Sequence, residues 1–341
     1  MSIMVSKLMK NRQWLINGNP YGRAVEINDF KRVESILTEP GDGHVQVKVN
    51  YLEFTPSLKG QMENRVHYAD KTEQGGVMRG RGIGTILVSK HPDYKPGDKV
   101  LGYLGWQDFA NLEPNTLQKI EDDNYLRYHM GPLGSSGMAA YFGMTDVGKI
   151  KSGCKVLISG AAGAVGSIAG QIAKLSGCEV YGVAGGESKC KWLVEEAGLR
   201  GAIDYRIEDM DKRFKEIAPD GFDVVFDNVG GEFLNIALDN INFGARIVIC
   251  GAISRYETAD PPPGPSNYFN LVMKSASMTG FISVNYRDRF DEARVKMREF
   301  LDTGNFVYRE DIQEGFDNIP ATFLRLFSRL NEGKQLIHLP N

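Results

Sequence analysis

Three glycines spaced three residues apart stand at the exit of an apolar run, and a helical pattern follows them. The run is Val156-Leu-Ile-Ser159, and the turn behind it, Gly160-Ala-Ala-Gly-Ala-Val-Gly166, is made of small residues. Val165, Ile168, Ala169, Ile172 and Ala173 then recur at helical spacing. A strand, turn and helix in this order aim unpaired backbone N–H groups at one point, where a dinucleotide pyrophosphate is held. The glycine pattern is G-x-x-G-x-x-G rather than G-x-G-x-x-G, so its context decides. A second strand pattern, Val180 to Ala184, follows the helix as a βαβ unit requires.

At the end of that second strand an NAD-binding chain places an acidic residue on the ribose hydroxyls. This chain has Gly185-Gly186-Glu187-Ser188-Lys189 instead. A lysine and a hydroxyl beside a tight turn suit a 2′-phosphate, so the sequence predicts NADPH, with Glu187 turned outward. The alternative is a glycine-rich turn that holds nothing. Val156 to Ala173 carries no charge and is long enough to raise the question of a membrane span. Four glycines, five alanines and two serines leave it too weakly apolar, and the sequence predicts a buried strand and a close-packed helix.

A chain of 341 residues exceeds one comfortable core, which predicts two domains. With 42% apolar and 24% charged residues its composition is that of a soluble globular protein. A net charge of −3 without a long basic run speaks against nucleic-acid binding. Lys7, Lys10 and Arg12 interrupt the first residues, so no secretory signal is expected. Cys154, Cys178, Cys190 and Cys250 have no C-x-x-C spacing and read as reduced thiols of a cytoplasmic protein.

Up to about residue 130 short strand-like runs alternate with turn signals: Val45 to Val49, Gly82 to Val88 and Lys99 to Tyr103. This part reads as a mostly β domain, with the glycines at 80, 82 and 84 in a strand that another backbone approaches closely. From about 133 strands and helices alternate. Strands are expected at Ala202–Tyr205, Asp223–Val229, Arg246–Gly251 and Met278–Ser283, and helices at Lys189–Ala197, Asp209–Ile217 and Phe233–Ile241. Six strands with crossover helices make a doubly wound parallel sheet. The fifth connection contains Pro261-Pro-Pro-Gly-Pro265 and reads as an extended functional loop. In the tail, Val307–Ile312 and Leu336–Leu339 read as strands, and Pro320–Leu330 as a helix with Phe323, Leu326, Phe327 and Leu330 inward. The predicted domains are residues 1–132, completed by the tail at 305–341, and residues 133–304.

Lys95-Pro-Gly-Asp-Lys-Val-Leu-Gly-Tyr-Leu-Gly-Trp106, Ala161-Ala-Gly-Ala-Val-Gly-Ser167, Asp227-Asn-Val-Gly-Gly231, Cys250-Gly-Ala-Ile-Ser-Arg-Tyr256, Pro261-Pro-Pro-Gly-Pro265 and Asn331-Glu-Gly-Lys334 occur in this order. With them the chain resembles the zinc-independent medium-chain dehydrogenases/reductases over its whole length. The likeness is to the branch of prostaglandin and leukotriene reductases, 2-alkenal (double-bond) reductases and bacterial curcumin reductases. The resemblance implies a GroES-like first domain and a Rossmann second domain. It places Ala162, Gly163, Ala164, Val165 and Gly166 on the pyrophosphate and Lys189 and Tyr205 at the 2′-phosphate. Asn228 then falls near the nicotinamide ribose. Cys250, Gly251, Ala252, Ile253, Ser254, Tyr256, Phe281, Ile282 and Ser283 fall around the nicotinamide, and Asn331 reaches it from the tail. Relatives usually carry Asp-Pro-Tyr-Met-Arg where this chain has Thr55-Pro-Ser-Leu-Lys59, and Gly-Met-Pro-Gly where it has Gly134-Ser-Ser-Gly137. Ser57 and Ser135 thus replace a large aromatic and a methionine that usually face the substrate, which leaves the substrate open.

Zinc-dependent relatives need cysteine and histidine ligands in the first domain. All four cysteines lie at or beyond position 154, and His44, His67, His91, His129 and His338 form no i, i+4 pair. Without a metal, reduction of an activated C=C bond is the easier chemistry, because the enolate oxygen needs only a hydrogen-bond donor. Tyr256 is the candidate donor, alone or with the ribose hydroxyl, and Tyr268 a candidate lid or pocket wall. The expected function is that of an NADPH-dependent ene reductase acting on an α,β-unsaturated ketone or aldehyde, a small-molecule enone, as a homodimer. A quinone reductase or secondary-alcohol dehydrogenase on the same scaffold, and an NADPH-binding protein with a structural role, remain alternatives.

Overall fold

The computed structural model describes residues 9–63, 72–260 and 263–340. The chain divides into two compact units, residues 1–127 with 311–330 and 335–341, and residues 128–310 with 331–334.

In the first unit β1 (Lys10–Ile16) and β2 (Phe30–Ile36) form an antiparallel pair, Trp14 opposite Arg32. A seven-stranded sheet is built on β3 (Val45–Glu53), β4 (Arg81–Ser89) and β5 (Lys99–Tyr103), with β6 (Phe109–Leu112) pairing β3 off the main path and β7 (Gln118–Ile120) at one end. The C-terminal strands Lys334–His338 and Glu310–Glu314 continue it beyond β3. Alternation puts Val45, Val47 and Val49 inward, each 1% exposed or less. The close approach expected at the glycines is present. A Cβ at Gly82 would come within 2.0 Å of the Tyr51 carbonyl oxygen, and one at Gly84 within 2.3 Å of Val47 Cγ1. Trp106 is buried at the centre against the rings of Phe30, Phe54 and Phe323. The tail helix is shorter than the sequence predicts, Ile319–Leu324. Phe323 and Leu326 face the core, but Leu330 is 60% exposed, because Arg329 adopts a left-handed φ of 58° and turns the chain away.

In the second unit all six strands are parallel: β8 (Lys155–Ser159), β9 (Glu179–Ala184), β10 (Gly201–Asp204), β11 (Phe222–Asp227), β12 (Ile241–Ile249) and β13 (Ser277–Gly280). Their order is β10-β9-β8-β11-β12-β13, so the direction of winding reverses at β8 and β11. Ligands of such sheets bind at the carboxyl ends of those two strands. Ahead of the sheet α1 of the chain (Leu58–Met62) belongs to the first unit, and α2 (Ser135–Phe142) opens the second. The crossovers are α3 (Gly166–Leu175), α4 (Glu187–Glu195), α5 (Met210–Ile217, capped by Asp209), α6 (Gly231–Asp239) and the short α7 (Asn270–Met273); α8 (Phe290–Asp302) follows the sheet. The predicted helix Phe233–Ile241 ends earlier, since Ile241 already opens β12 and pairs with Phe222 before the register shifts. Of the proline loop, Pro263 to Pro265 have no regular structure, and Pro261 and Pro262 lie outside the described residues, as does His67. No described helix is long and apolar enough to cross a membrane.

Candidate active site

The turn after β8 is as tight as its glycines predict. Gly160 has φ 56°, Gly163 N–H donates to the Gly160 carbonyl at 2.9 Å, and a Cβ at Gly166 would meet that same oxygen at 2.4 Å. No side chain caps α3, although Ser167 N–H in its first turn donates to the Gly163 carbonyl at 3.0 Å. Ala162 to Gly166 therefore form a cradle of backbone and small side chains that fits a pyrophosphate.

At the carboxyl ends of β9 and β10 the Tyr205 ring lies over Gly185, where a Cβ would come within 2.7 Å of the ring. The buried Asp204 accepts from Gly186 N–H at 2.9 Å and Arg206 N–H at 3.0 Å, which holds the turn that starts α4. Lys189 is half-buried in the first turn of α4, and Glu187 is exposed.

The exits of β11 and β12 are tied together. Cys250 and Gly251 N–H donate to the Asp227 carbonyl at 2.8 and 3.1 Å, Ile253 N–H to Asn228, and Ser254 both through N–H and through Oγ to Val229. Asn228 donates through Nδ2 to the Ser159 carbonyl at 2.8 Å. Beneath them the Asp227 carboxylate, fully buried, accepts from Ser159 Oγ at 2.6 Å and from Val229 and Gly230 N–H. Burial pushes its pKa up, against those hydrogen bonds. Burial likewise pushes the Cys250 thiol up to about 12, with the Asp227 charge adding to it. Sequence reasoning assigned no role to Ser159 and Asp227. The available signal was a carboxylate closing the otherwise apolar end of Phe222–Asp227.

A one-turn 3₁₀ segment, Ile253–Arg255, delivers the half-buried Tyr256. A cavity of about 200 Å³ is lined by Asp227, Gly230, Gly251, Ala252, Arg255 and Pro265 among others, Tyr256 not being among its lining residues. Phe281, Ile282 and Ser283 follow β13 directly, and Phe281 packs edge-on to Tyr286. From the tail, Gly333 bridges Gly163, and Asn331 Nδ2 donates to the Gly333 carbonyl at 2.9 Å. Of the substrate candidates, Ser57 pairs with Thr55 through their hydroxyls at 2.9 Å, and Ser135 is exposed at the start of α2. Tyr268 is 64% exposed, on a segment anchored through Asn267 and Asn270 to the later part of α6.

Two family models match the chain, one described as the N-terminal domain of oxidoreductases over residues 12–120, the other as zinc-binding dehydrogenase over residues 164–299. The NADPH-dependent curcumin reductase of Escherichia coli is 35% identical over 342 residues, covering 98% of this chain and 99% of that one. This chain belongs to the medium-chain dehydrogenases/reductases. Within that superfamily it is an NADP-dependent oxidoreductase of the curcumin, prostaglandin and 2-alkenal reductase branch. The NADP(+)-dependent 2-alkenal reductase of Nicotiana tabacum is 35% identical over 335 residues, covering 96% and 97% of the two chains. The crystal structure of CurA from Vibrio vulnificus in complex with NADPH superimposes with a TM-score of 0.91 at 32% identity, covering 97% of this chain and 99% of that one. One family model is described by zinc, but among the described residues no three His, Cys, Asp or Glu side chains are grouped to hold a metal ion.

Proposed function

We propose that the chain is an NADPH-dependent ene reductase that transfers hydride to the β-carbon of an α,β-unsaturated ketone or aldehyde. The observation that carries this reading is near-full-length similarity to an NADPH-dependent curcumin reductase and a 2-alkenal reductase. The reading is supported by a turn whose glycines leave room for a pyrophosphate and by loops after β11 and β12 that carry Asn228 and Tyr256. Residues 133–304 are the NADPH-binding part, and residues 1–132 with 305–341 the substrate part. NADPH supplies the hydride when bound. The turn Ala162 to Gly166 holds the pyrophosphate through backbone N–H groups other than that of Gly163; Lys189 and Tyr205 hold the 2′-phosphate, and Asn228 the nicotinamide ribose. Cys250 to Ser254, Phe281 to Ser283 and Asn331 enclose the nicotinamide and exclude water. Tyr256, with the ribose hydroxyl, donates a hydrogen bond to the carbonyl oxygen as enolate charge builds there. Ser57 and Ser135 set the substrate's size.

No metal enters this chemistry, and the four unpaired cysteines suit a cytoplasmic protein. The test follows NADPH oxidation by an enone, a quinone and a saturated ketone, before and after exhaustive chelation. Saturation of the enone C=C, with the quinone and ketone slower and chelation without effect, is the expected result. Preference for the quinone or ketone, or no turnover with any enone, overturns it.

A further inference from the structure

Residues 331–334 reach from the phosphate turn to the start of α4 as a short strap. Gly333, buried with φ 87°, bridges Gly163, and a Cβ there would come within 2.2 Å of the Arg309 carbonyl oxygen. One residue earlier, Glu332 accepts from Ser188 Oγ at 3.3 Å and forms an ion pair with the Arg309 guanidinium. Arg309 is itself held in place, its guanidinium 5.7 Å from the centre of the Trp192 ring and its carbonyl accepting from Lys334 N–H at 3.0 Å. A carboxylate is therefore fixed against the residue that precedes Lys189. Ser188 follows by four residues the end of β9, the strand end at which an NAD-binding chain carries its acid for the ribose hydroxyls.

We propose that Glu332 and Arg309 form a charge-balanced latch that sets cofactor choice, Arg309 cancelling the carboxylate that the strap brings to the 2′-phosphate site. The proposal rests on the reading of Lys189 as the 2′-phosphate ligand. The strap must lie on the phosphate turn, and Glu332 secures it there by bonding to Ser188. An uncompensated negative charge at that point would repel a 2′-phosphate and leave a ribose hydroxyl untouched. Arg309 supplies the compensation without contacting the cofactor, which makes it a positioning residue.

A double-mutant cycle on the full chain, reading NADPH and NADH dissociation constants by fluorescence, separates charge balance from a structural role. Arg309→Gln is expected to weaken NADPH about 3- to 30-fold, as for unit charges several ångströms apart near a protein surface, and to change NADH less than twofold. Arg309→Gln with Glu332→Gln is expected to return NADPH to within about threefold of wild type. Glu332→Gln alone should bind NADPH as tightly as wild type or tighter, and it covers the case in which Arg309→Gln does not fold. Equal loss of both cofactors in either single variant, or a double variant no better than Arg309→Gln, overturns the latch. Lys189→Ala serves as the control for the parent reading: if it leaves NADPH binding unchanged, the 2′-phosphate assignment fails, whatever the latch variants do.

Discussion

Ser159 Oγ donates to Asp227 Oδ1 at 2.6 Å between two side chains that are 1% and 0% exposed, joining the carboxyl ends of β8 and β11. The same carboxyl group accepts from the Val229 and Gly230 N–H groups, so one buried side chain holds the loop on which Asn228 stands. Asp227→Ala leaves three donors unmatched and should lower stability by about 3 kcal/mol, read as a lower urea midpoint. Asp227→Asn keeps Oδ1 and should cost less.

The pH dependence follows from the raised Asp227 pKa. The folded state holds this proton better than the unfolded chain. The resulting stabilisation is complete below the unfolded value near 3.8 and is lost as pH rises through the folded one. Wild type should therefore gain stability relative to Asp227→Asn as pH falls from about 7 towards 4. A gap independent of pH would show that Asp227 titrates alike in both states.

Cofactor preference is the second expectation. An ion pair between Lys189 and the 2′-phosphate should contribute about 1–3 kcal/mol, so Lys189→Ala should weaken NADPH roughly 5- to 150-fold and leave NADH nearly unchanged. Equal affinity of the wild type for NADPH and NADH would refute the assignment.

Much of the parallel sheet was legible because its strands are buried on both faces and read as continuous apolar runs bounded by turns. Lys155–Ser159 and Glu179–Ala184 differ from their predicted spans by one residue at the start. The helix predicted from Asp209 begins at Met210, with Asp209 as its cap. The edge strand was less legible. Ser277–Gly280 is exposed at every position, and the apolar Phe281 and Ile282 that drew the predicted strand onward lie beyond it. At the site, the glycine turn was visible as a local pattern. The Ser159–Asp227 pair was not, since it joins residues 68 apart in sequence that only the sheet order brings together. Glu332 and Ser188, 144 apart in sequence, are likewise joined only by the fold.

That exposed edge motivates a third expectation. Met278 on this edge strand is 37% exposed, and Phe269, Val272 and Met273, shortly before it in the chain, are 59% to 65% exposed, large apolar side chains left open near the end of the sheet. The protein should be a homodimer through this face at micromolar concentration, by light scattering or sedimentation. Val272→Glu with Met273→Glu should give a monomer. A monomeric wild type would show that the edge is covered by something else.

Substrate choice and the enolate donor can be separated in one set of variants. Tyr256→Phe removes a hydroxyl without changing the ring, so it should lower kcat for every enone by roughly 10²- to 10³-fold if that hydroxyl meets the developing charge. Ser57→Tyr and Ser135→Met restore the bulk that relatives usually carry and should instead alter selectivity. An apolar contact is worth about 1–3 kcal/mol, so the ratio of kcat/KM for a small alkenal over a bulky enone should rise about 10- to 200-fold. The two effects differ in kind, because a lost donor affects all substrates and a filled pocket only the large ones. If Tyr256→Phe keeps full kcat, the ribose hydroxyl alone serves the enolate. If refilling positions 57 and 135 leaves the ratio unchanged, these serines do not set substrate size.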